Sequence, residues 1–143
     1  MESQGVLSEE EIRKLNMKIQ KSHQSEKDWV EIQQLLDKKY LYALQPQDKS
    51  LEKEYCVEGM LVDQGALMAF TNPVSCSEYV KTHPIALAGG YLELGVVPFK
   101  TLVHIADDYQ MSVRIDVVTG KNQKYLSYDG KTKTMHIYII QSV

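Results

Sequence analysis

Between Tyr91 and Val117 the hydrophobic period of the chain changes twice, and this constrains the fold more than any other feature. Leu92, Leu94 and Val96 alternate with Tyr91, Glu93 and Gly95, the period of a half-buried strand. Pro98 then opens a segment in which Phe99, Leu102, Val103 and Ala106 fall at i, i+3, i+4 and i+7, the spacing of an amphipathic helix. Met111, Val113, Ile115 and Val117 alternate again, now with Ser112, Arg114 and Asp116. Strand, helix and strand in quick succession predict a βαβ unit with two parallel, neighbouring strands.

Other elements attach to this unit. Ser8 and Glu11, and again Ser25 and Asp28, have the spacing of helix-starting boxes. In such a box a hydroxyl takes one unpaired backbone N–H and a carboxylate reaches back for another. The first helix has a thin stripe, Ile12, Leu15 and Ile19, which predicts a loosely docked arm whose deletion (residues 1–22) leaves a folded domain. The second, with Trp29, Ile32, Leu35 and Leu36, belongs to the core. Tyr40 to Leu44, Glu54 to Val62 and Ala66 to Phe70 read as strands, with a hairpin turn at Asp63-Gln64-Gly65. Asn72-Pro73 starts a helix running to about Thr82. The C-terminal hairpin turns around Asp129-Gly130, in a four-residue loop from Asp129 to Thr132 that sets Leu126 opposite Met135. The reading is one α+β domain over 25–143, a mixed β-sheet of six or seven strands with helices mainly on one face. A helical arm, 1–24, precedes it.

At 143 residues with 43% hydrophobic and 24% charged side chains, the chain can bury a core without disulfides or metal. Two cysteines make no disulfide framework. A net charge of −3 argues against nucleic acid as a partner. No apolar run reaches membrane-spanning length. The opening Met1-Glu2-Ser3-Gln4-Gly5 lacks the basic and apolar regions of a secretory leader, which predicts a cytoplasmic protein. Charge is uneven: residues 51–110 carry 3 basic and 8 acidic side chains, and residues 111–143 carry 5 and 2. The acidic middle would favour a basic partner.

Three constellations bear on chemistry. Cys76 falls in the first turn of the helix opened by Pro73, where the helix dipole favours a thiolate. None of His23, His83, His104 or His136 is spaced to serve it as a base, and it also fits a small core position. Cys56 reads as core. His104 with Asp107 and Asp108 has the i+3, i+4 spacing of a metal-binding helix face, without a second cluster to complete a ligand set. Ala88-Gly89-Gly90 matches no phosphate-loop pattern, and no cofactor is expected. Nine tyrosines against two phenylalanines point either to an interaction surface or to edge-of-core packing with the hydroxyls in water. Tyr91, Glu93, Tyr125 and Tyr138 alternate with apolar residues, so they are expected to point away from the helix-covered face.

The order of elements from about Leu61 to Val118 resembles the SseB N-terminal domain family. The likeness rests on a strand ending Ala69-Phe70-Thr71, a capped helix and the extended Leu92-Glu93-Leu94. Val97-Pro98-Phe99 then opens an amphipathic helix, and the strand Val113-Arg114-Ile115-Asp116-Val117 follows. The resemblance implies a compact bacterial cytoplasmic domain and brings no catalytic residues with it. The expected function is a non-catalytic protein-interaction module that binds a protein or peptide, as a monomer or homodimer. The alternatives are a small immunity-type or inhibitor protein that blocks its partner, and an enzyme using Cys76 or the His104/Asp107/Asp108 face.

Overall fold

The structure is a computed structural model that describes residues 5–21, 25–45, 56–57, 60–63, 65–82, 93–116 and 124–139. Helices α1 (Glu9–Lys21) and α2 (Glu26–Leu36) both start at the expected boxes. Ser8 Oγ accepts from Glu11 N–H at 3.1 Å and Glu11 Oε1 accepts from Ser8 N–H at 2.9 Å. Ser25 and Asp28 repeat the exchange at 3.2 and 3.3 Å. The arm is not loosely docked. Leu15 and Ile19 are buried in the main core, and α1 packs on α2. The Lys39 ammonium meets Glu11 at 2.9 Å, and Lys124 Nζ donates to Gln20 O at 2.9 Å. A thin stripe is enough because the sheet supplies the other side of the contact.

The strands are β1 (Tyr40–Gln45), β2 (Cys56–Val57), β3 (Met60–Asp63), β4 (Ala66–Phe70), β5 (Glu93–Pro98), β6 (Ser112–Ile115), β7 (Lys124–Asp129) and β8 (Thr134–Ile139). Helices α3 (Pro73–Thr82) and α4 (Phe99–Tyr109) lie between them in sequence. A six-strand path, β2-β3-β4-β6-β7-β8, runs through one mixed sheet. β1 joins it at β4 and carries β5 on its other side. The two ends of β4 therefore pair with different neighbours along one edge: Leu67 with Val62 of β3, Phe70 with Tyr42 of β1. All five β4 residues are buried, as the centre of a sheet covered on both faces requires.

The expected βαβ unit is corrected in one respect. β5 and β6 run parallel, but β1 and β4 lie between them. Periodicity identifies a crossover connection without saying how many strands it spans, and the wholly apolar β4 takes the place beside β6. The β7–β8 hairpin also differs. Its four-residue loop is Gly130–Lys133, so Leu126 faces Ile137 and Tyr128 faces Met135. Lys133 takes the left-handed conformation at φ 59° and donates its N–H to Asp129 O at 2.7 Å. Gly130 donates to Met111 O at 2.9 Å, and a side chain at position 130 would collide with the Ala106 carbonyl. The shift by two residues keeps the apolar face that motivated the expected register.

Three of the described helices, α1, α2 and α4, cover one face. Ile32, Leu36, Leu102 and Ala106 meet Leu41, Ala43, Leu67, Val113, Ile115 and Leu126 in a single apolar cluster that includes Leu15. Trp29 packs against its margin. On the other face α3 sits over β1 and β4, where Cys76 and Tyr79 cover Leu44, Met68 and Phe70. α3 starts as expected, with Asn72 Oδ1 accepting from Ser75 N–H at 2.9 Å. β5 reverses the expected alternation over its described side chains. Val97, opposite Leu41, packs in the core, whereas Val96 is 49% exposed. Two adjacent valines leave the parity of a strand undecided until its partner is known.

Candidate protein-interaction surface

Strands β6, β7 and β8 have one face under helices and the other uncovered by any described helix. Their register sets the uncovered side chains in rows. Tyr125 and Tyr138 are direct cross-strand partners with ring centroids 5.7 Å apart. Tyr138 is 46% exposed and Tyr125 is half-buried. The His136 ring lies 5.9 Å from that of Tyr138. In the next row, Arg114 of β6, Ser127 of β7 and His136 of β8 stand side by side. Ser127 is buried between its neighbours, while Arg114 and His136 are half-buried. His136 Nε2 and Thr134 Oγ1 share a hydrogen bond of 2.9 Å, and Thr134 Oγ1 lies 2.6 Å from Thr132 Oγ1. Aromatic area beside a guanidinium and a line of hydroxyls is binding chemistry.

The expected outward direction holds for Tyr125 and Tyr138 by register. Tyr91 lies outside the described residues. Glu93 contributes described backbone only, opposite Gln45 at the start of β5, and its side chain lies outside what the structure describes. Arg114 and Ser127 carry no expected role in the sequence, and His136 enters there only as a histidine not spaced to serve Cys76. The signal was present, since each alternates with apolar residues on its own strand, but only the register across three strands brings them into one row.

Cys76 is buried, and burial pushes its thiol up to about 12, with the nearby Asp116 charge adding to the effect. The protonated thiol is therefore favoured, against the pull of the helix N-terminus. Asp116 ties the ends of β4 and β6 to the start of α3. Its Oδ1 accepts from Thr71 N–H at 2.8 Å and its Oδ2 from Thr71 Oγ1 at 2.6 Å, while Asn72 Nδ2 donates to Thr71 Oγ1 at 3.0 Å. Burial raises the Asp116 carboxyl above its ordinary value, and the two Thr71 hydrogen bonds offset part of that. Cys56 has no described side chain, and His23 and His83 lie outside the described residues.

On α4, His104 and Asp108 are exposed, and Asp107 accepts from the Tyr128 hydroxyl at 2.7 Å. Among the described residues, no three His, Cys, Asp or Glu side chains gather as a metal would need. A groove of about 490 Å³ runs between α2 and α4. Val30, Phe99 and Val103 line it, and Asp37 and Lys100 span it 3.8 Å apart. Among the described residues, no helix is long and apolar enough to cross a membrane. Comparison with protein-family models, curated proteins and solved structures finds no match to the chain.

Proposed function

We propose that the protein is a non-catalytic interaction module that holds a protein partner on the face of β6, β7 and β8 that no described helix covers. The observation that carries this reading is the Tyr125–Tyr138 pair. Two aromatic rings stand together on a face that no described helix covers, one of them nearly half exposed. Aromatic anchors of this kind contribute most of the energy at protein interfaces, because they offer large contact area for few rotatable bonds. The buried, high-pKa thiol of Cys76 makes it an unsuitable nucleophile.

The test is capture from a cell extract with immobilised protein, identification of the captured partner, and reconstitution from purified components. The Tyr125→Ala/Tyr138→Ala variant should lose the reconstituted complex while keeping a cooperative melt close to the wild type. A complex that survives the double substitution would move the binding site elsewhere.

A further inference from the structure

Resting on the binding role of this face, we infer that its partner presents an acidic segment, with a carboxylate seated on Arg114 at the head of the row that runs through Ser127 to His136. This reverses the basic partner expected from the acidic middle of the chain. The face that no described helix covers is built from the basic tail instead. Of the two acidic side chains in residues 111–143, Asp116 is engaged by Thr71 and Asp129 accepts from Lys131 N–H at 2.9 Å. Arg114 is half-buried, and among the described residues no carboxylate pairs with it. By register Asp116 and Asp129 share the face of Arg114, but neither forms an ion pair with it, and a partner carboxylate can supply the two parallel N–H···O bonds that they do not. Ser127 stands next to Arg114 in that row and His136 beyond it, where the imidazole can donate to a second acceptor of the same segment. Lys131 and Lys133 are exposed at the β7–β8 turn and extend the positive field. Tyr125 and Tyr138 in the adjacent row offer apolar area. The segment recognised therefore combines aspartate or glutamate with apolar neighbours.

The probe is a fluorescein-labelled octapeptide alternating glutamate and leucine, compared with its lysine–leucine counterpart by fluorescence anisotropy at low salt. The acidic peptide should bind, shift the Arg114, Ser127 and His136 amide resonances, and weaken as salt is raised. Arg114→Gln should weaken it by about tenfold or more. Arg114→Lys should recover part of the loss, because the charge returns without the two-pronged geometry. Thermal melts establish that both variants fold, and His136→Gln, with a smaller loss, provides a second variant in the same row of the sheet. Four results would overturn the inference: no binding of the acidic peptide at millimolar protein, binding unchanged in Arg114→Gln, preference for the lysine peptide, or a response to inorganic phosphate but not to the peptide. These are distinguishable from failure of the binding role itself. If the tyrosine double variant loses its reconstituted partner while the acidic peptide is ignored, the face remains a binding surface and only the acidic chemistry falls.

Discussion

Strand β8 presents Met135 and Ile137 to one side of the sheet and His136 and Tyr138 to the other, and the two sides obey different rules. On the helix-covered side, rows such as Leu67, Val113, Tyr128 and Met135 cross four strands without a charged group. Three helices close over them. On the other side the same strands give Met68, Arg114, Ser127 and His136, and α3 covers only the first of these strands. Alternation lets one strand serve two purposes at once. The apolar side is where stability resides. The opposite side of β6 to β8 can vary its chemistry at little cost to the fold.

The largest effects should come from the covered side. Leu102 is fully buried at the middle of the α4 stripe, so Leu102→Ala should cost about 2–5 kcal/mol in denaturant unfolding. Leu15→Ala should fall in the same range of about 2–5 kcal/mol, because α1 shares that core. A loss below about 0.5 kcal/mol at Leu15, the size of an ordinary surface change, would restore the loosely docked arm.

An intermediate effect belongs to the polar tie between the two sides. The raised Asp116 carboxyl has a defined sign. As pH rises from the ordinary carboxylate range through the native value, the unfolded chain releases its proton first, so the folded state loses stability across that window. Asp116→Asn should flatten this part of the stability–pH curve relative to wild type. Thr71→Val, which leaves the carboxylate with fewer donors, should cost about 1–3 kcal/mol above that window. A parallel pair of wild-type and Asp116→Asn curves would mean that the carboxylate titrates as it does in water.

Cys76 gives a chemical measure of the same burial. With its thiol pushed up to about 12, alkylation of Cys76 by iodoacetamide at pH 8 should be far slower in the native protein than in denaturant. Site-resolved mass spectrometry separates it from Cys56. Equal rates in the two states would place the thiol in solvent and reopen the enzyme reading.

The features legible in the sequence are those settled by local chemistry. Ser8, Ser25 and Asn72 begin helices because each supplies an oxygen to nearby unpaired N–H groups. Gly65, at φ 78°, turns the β3–β4 hairpin. Tyr125 and Tyr138 point away from the core because their neighbours alternate. What stayed hidden depends on partners distant in sequence. The parity of Val96 and Val97 is set by Leu41, the separation of β5 from β6 by β1 and β4, and the depth of Leu15 by the sheet. The Arg114 row has the same character, since three unremarkable residues become one site only when their strands are registered.

The smallest stability effect should come from Tyr138, and it sharpens the comparison most because Met135 sits on the same strand. Met135 is buried on the covered side, and Met135→Ala should cost about 2–5 kcal/mol. Tyr138→Ala removes a half-exposed ring whose main described contacts are Tyr125 and His136. Cross-strand aromatic pairs contribute about 0.2–1 kcal/mol, so the loss should stay within that range. A double-mutant cycle with Tyr125→Ala isolates the pair, and its coupling energy should account for most of the Tyr138 effect. A Tyr138→Ala cost as large as that of Met135→Ala would show that the ring belongs to the core. The surface would then lose its anchor, whatever its partner.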